Sequence, residues 1–339
     1  MTDPVEIPQW DHRHDGLAGF ARARRAAASA VMDAVLGGLG PAGLAGAALR
    51  PLLPLGDRLA ARLLAAAGDP YRDEILALPA LLGRPGPVAF SLSHEWGCTA
   101  RVFEPGCETG AAPLLFRTLD WPFRGLGARA EVVRLSGPAG DWVTATWPGI
   151  VGALHGAAPG RFAAALNQAP ERQTGLGRAA DWLAAKRRFL RQRALPPAHL
   201  MRLVFEQAPD YASARRMLAE TPVAVPVIFT LAGTRPGEAC VIERTETGSA
   251  SPGDGPPATA NHFASTLAGT ARWRGRGYDS TGRRQAALAL SAPPPVDCLA
   301  PPILNPLTRL AVTLDAAGHL AVAGYEGAAR VTAAFRTAA

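Results

Sequence analysis

The short signatures that mark most enzyme classes are missing from this chain. There is no G-x-S-x-G turn, no G-x-x-x-x-G-K-S/T loop, no H-E-x-x-H, and no G-x-G-x-x-G between a strand and a helix. Serine hydrolases, P-loop nucleotidases, zinc proteases and dinucleotide enzymes are thereby demoted. Cysteine is scarce as well: Cys98, Cys107, Cys240 and Cys298 form no C-x-x-C pair and stand near no histidine set with zinc spacing. That excludes a metal knuckle and a disulfide framework, and neither metal nor cofactor is expected. No apolar run is long enough to span a bilayer. The uncharged stretch 34–49, with glycines and Pro41 inside it, fits two short helices or an interfacial segment. Met1–Asp15 is acidic and lacks the leader pattern of a secretory signal, so a cytoplasmic location, with a peripheral membrane variant, is the expectation.

What is present is apolar. Of 339 residues 48% are hydrophobic and 19% charged, enough for a large core in one or two domains and too little polarity for global disorder. The net charge of +7 comes almost entirely from scattered arginine. Its densest runs, Arg22–Arg25 and Lys186–Arg193, lie on helical patterns without interleaved aromatics, which reads as solvated helix faces and no nucleic-acid partner.

Texture changes at Gly83. Before it, Ala- and Leu-rich segments at 18–36, 42–50, 56–67 and 71–82 predict helices. After it, short β-type runs at 88–93, 99–103, 113–119, 130–136, 141–147 and 161–167 predict antiparallel sheet. Helices return at 181–193, 199–207 and 211–220, followed by strands at 225–233 and 239–246, a strand into Asn261, and a helix at about 280–290. A closing hairpin pairs 308–315 with 319–326. This alternation predicts an α+β fold, with layers of sheet covered by helices.

The chemistry centres on Trp96-Gly97-Cys98-Thr99-Ala100, a thiol between two β runs where the helices end, followed shortly by Arg117 and Asp120. A buried cysteine usually serves as a small hydrophobe, which is the reading kept for Cys107, Cys240 and Cys298. Cys98 differs in its company. The order Cys98-Thr99, Arg117-x-x-Asp120-Trp121, Pro148–Gly152 leading to Asn167, Tyr211-Ala212-x-Ala214 with Thr221-Pro222, Asn261-His262-Phe263, Asp279-Ser280-x-x-Arg283 and Leu304-Asn305-x-x-Thr308 resembles the acid ceramidase and N-acylethanolamine-hydrolysing acid amidase family. More distantly it is similar to the choloylglycine and penicillin V hydrolases and the penicillin acyltransferases.

The resemblance implies an N-terminal-nucleophile (Ntn) αββα sandwich. Residues 1–97 would be a helical pro-segment and 98–339 the catalytic chain, parted by self-cleavage before Cys98. A free α-amine titrates near 8, so the exposed cysteine would supply nucleophile and base together. By the same resemblance Asp120 holds that amine, Arg117 favours the thiolate, Asn261 donates to the oxyanion and Asn167 is a second polar group. Arg283 matches the family's second arginine, with Arg274, Arg276 and Arg284 close by. The implied reaction is hydrolysis of a small-molecule N-acyl amide, best a hydrophobic one, with the cleaved N-terminal fragment as partner and a membrane surface as contact. Two rivals stay open: an acyltransferase in which an amine resolves the thioester, and a non-catalytic lipid-binding protein. Gln168 departs from the Asn-Glu of the ceramidase-like branch and cannot ionise, which weighs against acid-dependent self-cleavage. His94 is read as non-catalytic, and His155 and His262 as packing or hydrogen-bonding residues.

Overall fold

The computed structural model describes residues 4–39, 44–92, 97–105, 112–253 and 255–337. The chain opens with a short strand, β1 (Gln9–Asp11), and six helices: α1 (Gly16–Ala23), α2 (Arg25–Gly37), α3 (Leu44–Leu49), α4 (Leu53–Ala67), α5 (Arg72–Leu82) and α6 (Pro87–Phe90). Strands take over with β2 (Gly97–Phe103), β3 (Leu114–Asp120), β4 (Glu131–Gly137), β5 (Gly140–Thr146), β6 (His155–Ala158), β7 (Phe162–Gln168) and the two-residue β8 (Glu171–Arg172). Helices α7 (Arg178–Phe189), α8 (Pro197–Gln207) and α9 (Tyr211–Glu220) lead to β9 (Val227–Ala232), β10 (Ala239–Arg244), β11 (Ser249–Ala250), β12 (Ala258–Thr259) and β13 (Trp273–Arg274). Helix α10 (Ser280–Ala289) precedes β14 (Thr308–Asp315), β15 (Leu320–Glu326), β16 (Ala329–Arg330) and β17 (Phe335–Arg336).

The strands form two large sheets and a ribbon. One sheet runs β1-β4-β5-β6-β7-β9-β10-β11, the other β12-β2-β3-β14-β15-β16 with β17 also on β15, while β8 and β13 pair alone. All these pairings are antiparallel except β1 with β4. Side-chain alternation puts Cys98, Val102, Leu115, Leu119, Leu310 and Val312 of the second sheet into one core with Ala157, Ala163, Ala165, Phe229 and Leu231 of the first. The opposite faces are covered too. Phe103 and Phe116 pack with Ala287 of α10, and Phe205 of α8 stacks on Trp142 (5.0 Å) and Phe162 (5.5 Å). Both faces being buried explains why β2 and β7 have no exposed residue and no polar alternation. The result is the expected α+β layering of helix, sheet, sheet, helix.

Three local expectations are corrected. Of the run 88–93, residue 93 lies outside the described residues and 88–92 are not a strand: Pro87 opens the helical turn α6, and Asp57 of α4 accepts from the amides of Gly86 (2.6 Å) and Ala89 (2.9 Å), capping it. The helix predicted at 18–36 breaks at Arg24, whose guanidinium reaches Glu131 on β4 (2.9 Å). The N-terminal segment is also not purely helical, since β1 completes the edge of the first sheet against β4. Of the helix predicted at 42–50, residues 42 and 43 lie outside the described residues, as do His94 and Cys107. Among the described residues no helix is long and apolar enough to cross a membrane, and no cluster of three or more His, Cys, Asp or Glu could hold a metal.

Candidate active site

Strands β2 and β3 build the site by their register. Cys98 lies opposite Leu119 and Ala100 opposite Arg117, so Cys98 and Arg117 share the inner face one diagonal apart. The diagonal is closed by a hydrogen bond: Arg117 Nη2 donates to Cys98 Sγ at 2.6 Å. Gly97 lies opposite Asp120 at the strand end.

Two later segments complete the enclosure. Asn261 follows β12, which pairs with β2, and its Oδ1 accepts from the Cys98 amide at 2.9 Å. Asp279, in a left-handed conformation, caps α10 through the Gly282 amide and so presents Arg283 from the first helical turns. Arg283 Nη1 donates to the Cys98 carbonyl (2.6 Å), Thr99 Oγ1 (2.9 Å) and Asp120 (3.1 Å), and Nη2 donates to Asn261 Oδ1 (2.8 Å). Because a peptide N–H and a guanidinium both point at one Asn261 atom, that atom is the oxygen. Of the neighbouring arginines, Arg274 and Arg276 pair with Glu171, and Arg284 donates to the Ala258 carbonyl. The second arginine at the site is therefore Arg283.

The centre is dry. Cys98, Arg117, Asp120, Asn261 and Arg283 are fully buried. Burial pushes the Cys98 thiol above its ordinary value, against the pull of Arg117. It pushes the Asp120 carboxyl upward as well, opposed by Arg283 and by hydrogen bonds from Asn305 Nδ2 (3.0 Å) and Thr308 Oγ1 (3.0 Å). His155 is held well below the ordinary imidazole value by burial first and then by the adjacent Arg117.

Five of the six candidates thus meet around one residue. Asn167 sits a step away: its Nδ2 donates to the Ala260 carbonyl (3.1 Å), bracing the strand that delivers Asn261, and its buried Oδ1 has no partner among the described residues. The Asn261 Nδ2 expected to serve an oxyanion is engaged with the Gln168 carbonyl (2.8 Å) in the uncut chain. Two contributors had no assigned role in the sequence, and a third, His155, reads there only as a packing or hydrogen-bonding residue. Asn305 and Thr308 belonged to a motif without a partner, and pairing of β14 with β3 brings them to Asp120. His155 meets Arg117 through packing of one sheet on the other, for which no sequence spacing gives a signal.

No protein-family model matches the chain. Among curated proteins, acid ceramidase of Heterocephalus glaber is 33% identical over 99 residues, which is 29% of this chain and 24% of the relative. Acid ceramidase of Homo sapiens is 31% identical over 99 residues with the same shares, and that of Mus musculus 34% over 96 residues. The match therefore spans about a quarter of the length of these relatives. Among solved structures, the Caenorhabditis elegans ortholog of N-acylethanolamine-hydrolyzing acid amidase aligns with 66% of this chain and 93% of its own at a TM-score of 0.44 and 16% identity, too loose a likeness to carry an argument. In sequence, over somewhat under a third of its length, this chain is similar to the acid ceramidases, and theirs is the family to which its resemblance points.

Proposed function

We propose that the chain is a thiol amidase of the N-terminal-nucleophile type, made as a precursor that cuts itself between Gly97 and Cys98. The observation that carries this reading is that the sulfur, amide nitrogen and carbonyl oxygen of Cys98 are each held by a different buried side chain, Arg117, Asn261 and Arg283. An ordinary core cysteine needs none of these partners.

Maturation begins when the Cys98 sulfur attacks the Gly97 carbonyl carbon. The Gly97–Cys98 C–N bond breaks, the thiol proton passes to the departing nitrogen, and water cleaves the resulting thioester to a Gly97 carboxylate and a free thiol. The new α-amine stays beside Asn261 Oδ1, an acceptor suited to hold an ammonium. In the amidase cycle this amine takes the thiol proton and the sulfur attacks the substrate carbonyl. The amine then protonates the leaving nitrogen, and water clears the acyl thioester. Asn167, one residue pair behind Asn261, is the second polar group of the pocket. Residues 1–97 remain attached as the smaller fragment.

A hydrophobic N-acyl amide suits the surroundings. Gln168, whose carbonyl holds Asn261, borders a small apolar crevice of about 20 Å³ with Leu92, Leu166, Phe189, Pro196 and Val225, which would have to widen to take an acyl chain. Exposed Leu52, Leu55 and Leu59, and Trp182 and Leu183 on the helix that carries Lys186 and Arg187, favour contact with an anionic lipid surface. The same exposed residues support the rival of a lipid-binding protein without catalysis.

One experiment separates the two. Intact mass and a denaturing gel are expected to show two fragments with a new N-terminus at Cys98, and release of free acid from an N-acyl amide. Cys98→Ala should give a single chain and no hydrolysis. A chain that stays whole across pH and reductant, and binds anionic vesicles equally with and without Cys98→Ala, would establish the lipid-binding rival instead.

A further inference from the structure

Arg117 is a buried cation with an unusual set of partners. It lies between the two sheets, fully buried, and among the described residues it has no carboxylate partner. Its Nη1 donates to the Leu154 carbonyl at 2.8 Å and to His155 Nδ1 at 3.1 Å, while Nη2 donates to Cys98 Sγ. A guanidinium has no acceptor, so His155 Nδ1 must be the unprotonated nitrogen and the ring proton sits on Nε2. That Nε2 is buried, with no partner among the described residues. The backbone around the ring is also fixed: Thr144 Oγ1 donates to the His155 carbonyl (2.7 Å), and β6 pairs His155 with Ala165 on β7, which pairs in turn with Thr230 on β9. The neighbours across the sheet carry no charge. Arg117 is the charged group that faces the ring, with Cys98 and Asp120 beyond it.

We infer that His155 is a positioning residue for the proposed reaction: a neutral acceptor that aims the Arg117 guanidinium at the Cys98 sulfur without neutralising it. A carboxylate in the same place would orient Arg117 equally well, but it would cancel the field that favours thiolate. A neutral imidazole separates the two tasks. The two acceptors on Nη1, Leu154 O and His155 Nδ1, fix the plane of the fork, and Nη2 is left for sulfur. Burial keeps the ring neutral, in agreement with its lowered basicity. The inference rests on Cys98 being the nucleophile, yet its test does not require turnover.

The test is the titration of the Cys98 thiol, followed as thiolate absorbance at 240 nm against Cys98→Ala, in wild type, His155→Asn, His155→Ala and His155→Asp. Asn offers a neutral acceptor near the position of Nδ1, so its midpoint should stay close to wild type. Ala, which removes the acceptor, and Asp, which neutralises the cation, should each raise the midpoint by about one pH unit or more. Where scission occurs, its pH profile should shift in the same direction and be rescued by Asn. Identical midpoints in all four proteins would overturn the inference, whether or not the chain cuts itself. Should the Ala and Asp variants not fold, nitrogen shifts of labelled histidine in the wild-type protein decide: a proton on Nδ1, or a ring that titrates near its ordinary value, would overturn it too. Absence of scission and hydrolysis in wild type, with the midpoints still separated, would instead count against the amidase reading alone.

Discussion

At Gly97 the backbone comes so close to its neighbours that a side chain would force them to shift. A Cβ there would lie 3.1 Å from Asp120 Cβ and 3.5 Å from Gly277 Cα, and one on Gly277, whose φ is +71°, would lie 3.0 Å from Arg283 Nη2. The residue before the proposed scissile bond is thus pinned between the strand that carries Asp120 and the loop that delivers Arg283. Gly97→Ala should push β2 off Asp120 and shift Cys98 relative to Arg283. The expected outcome is slower scission, read by intact mass over time, and a loss of about 1–3 kcal/mol in urea unfolding of the uncut Cys98→Ala background. Scission at the wild-type rate would show that the close approach is slack. Much of this site was legible because Cys98, Arg117, Asp120, Asn261 and Arg283 lie in motifs whose order was visible. The partners that hold them were less so. Asn305 and Thr308 reach Asp120 across a strand pairing, and His155 reaches Arg117 across the gap between sheets, separations that exist in space and leave no pattern along the chain.

The elements before Cys98 are tied to the rest by more than apolar contact. Strand β1 pairs with β4, Arg24 grips Glu131, and a buried polar cluster joins the turn into α5 to helix α8. In that cluster Asp69 meets His199 Nδ1 (2.6 Å), Tyr71 donates to Glu206 (2.8 Å), and Arg202 pairs with Glu74 (2.9 Å) and Glu206 (2.7 Å) while lying over the Tyr71 ring. A cut before Cys98 would leave all of this intact, so the two fragments should co-elute in native buffer and part only in denaturant. Arg202→Met should weaken the link, because it leaves Glu74 without its cation and Glu206 with Tyr71 alone in a part-buried interface, at a cost of up to about 3 kcal/mol. The measurements are size exclusion of cleaved protein and urea unfolding of the uncut chain, and co-elution with unchanged stability would sink the idea. Helices α5, α8 and α9 and strands β14 and β15 were readable from periodicity and turn residues almost to their ends. The failures share a cause. The run 88–93 looks like a strand until Asp57, far back in the chain, caps its start as the helical turn α6. His155–Ala158 contains no β-branched residue and is a strand because β7 pairs it on one edge.

Taken as a whole molecule, the protein encloses groups that stay neutral because they are buried, and this sets its response to pH. His155 is held well below the ordinary imidazole value by burial and Arg117, and His262 is lowered by burial, Arg284 and Arg283. For a base depressed in the folded state, the unfolded chain binds more protons once the pH falls below the ordinary value of about 6.5. The stability these rings contribute is complete above that value and is lost as pH falls toward their folded values. On the alkaline side the signs reverse. The Cys98 and Cys240 thiols are raised by burial, so their contribution is complete below the ordinary thiol range and lost as pH rises through the folded values. Stability should therefore peak between these limits. Below about pH 6.5, each ring held fully neutral adds roughly 1.4 kcal/mol per pH unit to the slope. Urea unfolding of the Cys98→Ala chain between pH 5 and 7 should show that slope, and Cys98→Ala combined with His155→Asn should flatten it by about one proton. Equal slopes in the two proteins would mean that His155 already carries its proton in the fold, which the donor geometry of Arg117 forbids.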